Sequence, residues 1–269
     1  MPDMQKKPAS SGGAEVIRVE NFHAAFSGRT VIKDVNFTVN AGEIVVIAGG
    51  SGCGKSVTMK HMIGLFKPAG GRIFINGQNV EEARGEARRA LLRSMGVMYQ
   101  SGALFGSLTL LENVRVPLEE FTKLSADAME AICLSKLKLV GLEKAADRLP
   151  SEISGGMQKR AAIARALALD PKIVFLDEPS AGLDPLMSAE LDRLILDLRS
   201  LMGITFIVVT HELASIFTIA DRCVVLDAAR KTMVADDSPQ NLLKHPDDPW
   251  IRSFFSRGEG DNTKPEAGA

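Results

Sequence analysis

Nowhere in this sequence do apolar residues run long enough to cross a bilayer. The runs at 44–48, 173–176 and 204–209 are of strand length, far short of the ~20 residues a helical span requires. Cysteine is scarce. Cys53, Cys133 and Cys223 are odd in number and far apart, which argues against a disulfide framework or a thiolate metal site and for reduced thiols in a cytosolic compartment. Neither sign of charge is in excess: 32 Lys and Arg stand against 33 Asp and Glu, a formal net charge of −1. There is accordingly no basic face for nucleic acid and no acidic tail. Residues 1–14 lack the apolar stretch of a signal peptide and read as a disordered leader. The length allows a substantial core and one or two domains.

What is present begins with Gly49-Gly50-Ser51-Gly52-Cys53-Gly54-Lys55-Ser56, which fits the phosphate-cradling pattern G-x-x-x-x-G-K-[ST]. It follows Ile44–Ala48, a β-branched run that reads as a buried strand. It precedes a helical pattern with Met59, Met62, Ile63 and Phe66 expected on one face. Glycines let the backbone close around phosphate oxygens, with N–H groups and the helix dipole aimed at the anion. Lys55 is expected to reach β- and γ-phosphates, and the Ser56 hydroxyl to ligate Mg²⁺. Cys53 is read as a small residue that fits the loop.

Upstream, alternation over residues 15–39 predicts several short strands, an antiparallel flap beside the main sheet. Phe26 lies in a loop between them and has two readings, core packing or stacking on a nucleobase. Downstream, Gly70–Gly77 predicts a hairpin, and residues 81–93 a solvated, densely charged helix. Met95–Tyr99 predicts a buried strand with Gln100 at its end. Helical patterns then dominate from 101 to 149, an insertion in an otherwise alternating α/β chain. Ser154-Gly155-Gly156-Met157-Gln158 opens a strong helix, with Ser154 as N-cap and a second potential anion site.

Ile173–Leu176 ends in Asp177-Glu178, a strand that delivers two acids to its carboxyl edge. There Asp177 is expected to hold Mg²⁺ beside Ser56, and Glu178 to orient or deprotonate an attacking water. A further buried strand, 204–209, brings His211 to the same edge as a γ-phosphate contact. Cys223–Asp227 reads as the last core strand. In the tail, Asp248 caps, Pro249 starts and Gly258 stops a short helix. Its Trp250, Ile251, Phe254 and Phe255 pack on their own domain or present a docking face to a partner.

Phosphate loop, Gln100, the Ser154 loop, Asp177-Glu178 and His211, in this order, resemble the ABC-type ATPases over about residues 15–240. The resemblance implies an α/β fold: a phosphate-loop nucleotidase core with a parallel sheet, an antiparallel β flap and an inserted helical subdomain. Residues 15–243 would form the ATPase domain, with 15–100 and 155–243 as core and 101–154 as helical subdomain; 244–269 would be a C-terminal extension. It implies ATP and Mg²⁺ as ligands. Phe26 would stack on adenine, and Gly49–Ser56 with Val57 would hold the phosphates. Gln100 would touch Mg²⁺ and sense a partner. Ser154, Gly155, Gly156 and Met157 would bind γ-phosphate across a homodimer, Asp184 would link the two sites, and His211 would be the switch histidine.

A finer resemblance, to the ATPases of Mla/Mce-type phospholipid transporters, is carried by Gln100–Phe105, Ser107-Leu108-Thr109, Glu112-Asn113-Val114, the Met157 form of the signature, Asp177–Pro185 and the aromatic tail. It implies an integral-membrane permease (MlaE-like), an Mce-domain protein (MlaD-like), a small STAS-domain protein (MlaB-like), and a place on the cytoplasmic face of the inner membrane. The alternatives are another importer of the family, for amino acids for instance, or a non-transport ATPase. The long coiled coils of the chromosome-handling ATPases do not fit between Ser56 and Ser154. Two positions depart from the family pattern. Val57 stands where Thr is usual, the loss of one neutral hydrogen bond of ~0.5–1.5 kcal/mol. Glu212 stands where Asp is commoner.

Overall fold

The computed structural model describes residues 13–244 and 248–256. Most of the expected leader, and the Gly258 stop with the tail beyond it, lie outside these residues. Buried and open positions alternate through Glu15–Phe26 (β1) and Arg29–Asn40 (β2), the pattern of strands with one covered face. These replace the several short strands expected. Each is a continuous 12-residue strand, because irregular register steps around Asn21 and Asp34, both at positive φ, let the pairing continue. Phe26 is therefore the last residue of a strand, not a loop residue.

Ile44–Gly49 (β3) is buried at every position and leads through the glycine loop into Lys55–Met62 (α1). Met59, Met62 and Ile63 are buried, but Phe66 is not on this helix and is 41% exposed. The helix ends because Gly64, at φ 71°, turns the chain. The predicted hairpin forms as Gly70–Ile75 (β4) and Gln78–Asn79 (β5), completing an antiparallel sheet of order β2-β1-β4-β5. Gly85–Arg93 (α2) and Met95–Met98 (β6) follow. The helical stretch holds Leu110–Phe121 (α3), begun by a Thr109–Glu112 capping box, and Ala126–Leu139 (α4), capped by Ser125.

Gly155–Ala166 (α5), Ile173–Asp177 (β7), Pro185–Met202 (α6), Thr205–Val209 (β8), Leu213–Ile219 (α7) and Arg222–Asp227 (β9) restore the alternation. β9 is not the last strand, as Thr232–Asp237 (β10) pairs antiparallel with it. Pro239–Leu243 (α8) and Pro249–Ser256 (α9) close the described chain. Among the described residues no helix is long and apolar enough to cross a membrane.

The second sheet has the order β10-β9-β3-β8-β7-β6, parallel apart from β10. Its strands are apolar at successive positions because both faces are covered. Ile44, Val46, Val174, Leu176, Phe206 and Val208 face a core shared with α3, α4, α5 and α6. Val45, Ile47, Ile173, Phe175, Ile207 and Val209 face a second core shared with the antiparallel sheet and α1. The parallel pairing puts the carboxyl ends of β3, β7 and β8 side by side, with β6 beyond β7.

Candidate functional site

The loop after β3 is shaped by backbone that only glycine adopts freely. Gly49 has φ 143°, and a Cβ there would lie 2.3 Å from the Leu226 carbonyl oxygen and 2.7 Å from Cys53 Sγ. Gly54, at φ 101°, stands at the N-cap of α1, and no side chain caps that helix. Its first N–H groups are thus left for a ligand. Lys55 is buried, and its Nζ donates to the carbonyls of Gly49 (3.0 Å) and Gly50 (3.2 Å), across the mouth of the loop. Cys53 is buried, and burial pushes its thiol up, with Lys55 opposing.

Ser56 Oγ donates to Asp177 Oδ1 at 2.9 Å, joining the first turn of α1 to the end of β7. Burial pushes the Asp177 carboxyl up, and the Ser56 hydroxyl pulls it part of the way back. Among the described residues no group of three or more His, Cys, Asp or Glu is placed to hold a metal. One carboxylate and one hydroxyl nonetheless suit Mg²⁺, which keeps waters and takes its remaining oxygens from phosphates. Glu178, next in line, is buried and has φ 47°. For a non-glycine residue this left-handed backbone is strained by about 1–3 kcal/mol. Its amide donates to the Val209 carbonyl at 2.8 Å, and His211 Nδ1 lies 2.9 and 3.0 Å from its two carboxylate oxygens.

Lys55, Ser56, Glu178 and His211 line one cavity of about 600 Å³, together with Gly49–Gly52, Gly54, Val57 and Gln100; Asp177 is joined to it through Ser56. A smaller recess of about 390 Å³ beside Phe66 and Val80 holds none of them. Val31, Leu213 and Phe254 also line the cavity and were not anticipated from sequence. Phe254 comes from α9, whose Ile251 and Phe255 are fully buried, with Phe255 edge-on to Phe217 at 6.1 Å. The tail helix thus packs on its own domain, capped by Asp248, and lays Phe254 against the site, stacked on Trp250 at 5.6 Å.

Other expected residues are not brought to this cavity. Phe26 is 41% exposed and packs against His61 (6.0 Å) and Phe66 (5.4 Å). Ser154 caps α5 by accepting from the Met157 amide at 3.3 Å; Ser154 and Gly155 are exposed, whereas Gly156 is buried under Met187. Asp184 caps α6, accepting from the amides of Leu186 and Met187 at 3.0 Å each. Glu212 precedes α7, its carboxylate acting on Lys159 and Asp192.

Comparison with known proteins agrees with this geometry. Residues 32–181 match the model of the ABC transporter family. The chain is 39% identical over 240 residues to the probable ribonucleotide transport ATP-binding protein mkl of Mycobacterium tuberculosis, covering 89% of this chain but only 66% of that protein. It is 36% identical over 242 residues to the intermembrane phospholipid transport system ATP-binding protein MlaF of Escherichia coli, covering 90% of this chain and 89% of the relative. The dimeric structure of an ATP-binding cassette in a post-hydrolysis state, bound to ADP and Pi, superposes with a TM-score of 0.74 at 29% identity, covering 82% of this chain and 98% of that one. A phosphate loop with its acids in one crevice, and a capped helix start outside it, thus accompany a family match over more than half the chain: this protein belongs to the ABC transporter family, as one of its ATP-binding subunits.

Proposed function

We propose that this chain hydrolyses ATP as one half of a homodimer and powers phospholipid transport through a separate MlaE-like permease, from the cytoplasmic face of the inner membrane. One observation carries the hydrolytic part of the reading. Lys55, Ser56, Asp177, Gln100, Glu178 and His211 converge on one crevice or its metal corner, while the Ser154 helix start lies outside it and exposed. A site so divided is completed by a second copy related by a two-fold axis.

In that dimer Gly49–Val57 binds the phosphates of ATP and Lys55 swings from its carbonyl partners to the β- and γ-oxygens. Ser56 and Asp177 would hold Mg²⁺, with Gln100 beside them, and the bound ion would neutralise charge on the phosphates. Ser154–Met157 of the mate closes over the γ-phosphate, and Asp184 stands at the link between the sites. Glu178 takes a proton from the attacking water as its oxygen bonds to the γ-phosphorus and the bond to the bridging oxygen of ADP breaks. His211, by holding both carboxylate oxygens of Glu178, keeps that base in place. Phe26 leaves its packing on Phe66 to stack on adenine. An Mce-domain protein and a small STAS-domain protein complete the assembly.

The two sets of relatives bear names with different cargoes. Phospholipid is favoured because this chain spans 89% of the MlaF protein and 66% of mkl. The test is to purify the chain with its membrane partners in detergent. An integral-membrane permease that co-purifies, with bound phospholipid and ATP turnover stimulated by added lipid, is the expected result. Stimulation by ribonucleotide instead, or recovery free of any membrane protein, would overturn the transport reading and leave the hydrolytic one standing.

A further inference from the structure

Lys159 is a buried cation that the reaction as described does not use. It sits one turn into α5. Its Nζ donates in a short contact to the Gln100 carbonyl and, at 3.4 Å, to the Glu178 carbonyl. Burial lowers its pKa, and the carboxylates of Glu178, Glu212 and Asp177 oppose that shift.

The backbone it grips is where the fold most needs holding. Glu178 has a left-handed φ, and its carbonyl also accepts from the Ala181 amide at 3.2 Å. Gln100 lies past the end of β6, where Gly102 and Ala103 have φ 73° and 48°. A second cation of the same helix, Arg165, donates to the carbonyls of Gly102 at 2.7 Å and Ala103 at 2.6 Å. Two cations of α5 thus fasten both the Gln100 loop and the backbone of Glu178. Ionised donors make bonds about twice as strong as neutral ones.

We infer that Lys159 is a positioning residue for ATP hydrolysis: it fixes the backbones of Glu178 and Gln100 against α5, so that the carboxylate and the side-chain amide meet water and metal at set places. Lys159 touches neither substrate nor metal. The inference rests on the hydrolytic reading above and goes beyond it by assigning a residue outside the phosphate loop, the strand-end acids and the signature loop.

The test uses the full chain in its detergent-solubilised complex, measuring steady-state ATP hydrolysis, affinity for a fluorescent ATP analogue, and thermal melting. Lys159→Met is expected to bind nucleotide within about threefold of the unsubstituted chain while kcat falls about tenfold or more. Lys159→Arg, which keeps a charged donor, is expected to recover most of kcat. If Lys159→Met does not fold, Lys159→Gln, with one N–H to give, is read by the same criteria. An unchanged kcat in the neutral variants overturns the inference. So does a parallel loss of affinity, melting temperature and kcat that Lys159→Arg fails to rescue, which is the behaviour of a purely structural support. Absence of turnover in the unsubstituted complex would instead overturn the hydrolytic reading on which this one stands.

Discussion

Two helices of this protein begin beside glycines, and their starts are furnished differently. α1 starts at Gly54 with no side-chain cap; Lys55 stands in its own first turn, and Asp177, Glu178 and His211 come to it from the ends of β7 and β8. α5 starts at Ser154, which satisfies its own Met157 amide, and Ser154 and Gly155 look outward. Both ends have the dipole and donors that attract an anion. What separates them is the company: the first faces acids, a lysine and a cavity, the second open surface. The end that is poor in partners is the one left for another molecule to complete.

The largest effect expected from breaking this contrast falls on turnover. Glu178→Gln removes the base yet keeps its shape, so hydrolysis should fall by roughly 10²–10⁴-fold, the usual range for general-base loss, with nucleotide affinity retained. A variant that turns over at the normal rate would show that Glu178 is not the base. Next comes affinity. Lys55→Ala should weaken ATP binding about 10–100-fold, since hydrogen bonds to a charged group contribute ~1.5–3 kcal/mol; equilibrium titration checks it. Ser154→Ala, measured the same way in the isolated subunit, should leave affinity unchanged. It should lower stability by only about 1 kcal/mol for the lost cap, as chemical denaturation would show, while the dimer's turnover drops. Loss of affinity in the monomer would mean that the two helix ends serve one site after all.

The smallest effect lies away from both loops. Asp192 of α6 is buried against Ser215 and Glu212, and burial pushes its carboxyl from 3.8 up to about 6. A folded-state pKa above the unfolded value means that the native state binds the proton more readily. The group therefore withholds stability at neutral pH, and returns it as pH falls through about 6 towards 4. Asp192→Asn should raise the Tm at pH 7.5 by a few degrees, each kcal/mol being about 2–4 °C at this size, and should flatten this part of the pH profile. An unchanged profile would show that Asp192 does not titrate there.

Much of the fold was open to reading because the central strands are buried on both faces. Ile44–Ala48, Ile173–Leu176 and Thr205–Val209 therefore carry apolar residues without alternation, and each ends in residues with chemistry. β10 escaped because its positions are all half-buried and end in Asp236-Asp237, giving neither an apolar run nor clean alternation. The full lengths of β1 and β2 were hidden by the irregularities near Asn21 and Asp34, which interrupt a period of two. Lys159 was not singled out from the sequence. The signal that distinguishes it was its spacing, three residues after buried Gly156 and four before buried Ile163, on the covered face of α5. Phe254 could not be placed at the cavity from sequence, since that contact depends on how α9 folds back across α7.

Gly49 has a consequence for modularity. The eight residues of the phosphate loop are contiguous, yet the wall that leaves no room beside Gly49 is the carbonyl of Leu226, at the far end of β9. The loop's shape is thus imposed by chain that follows it by more than half the protein's length. A fragment cut before β9 would retain every residue of the motif, along with Asp177, Glu178 and His211, and lose the surface that moulds them. This motif is not a transplantable part.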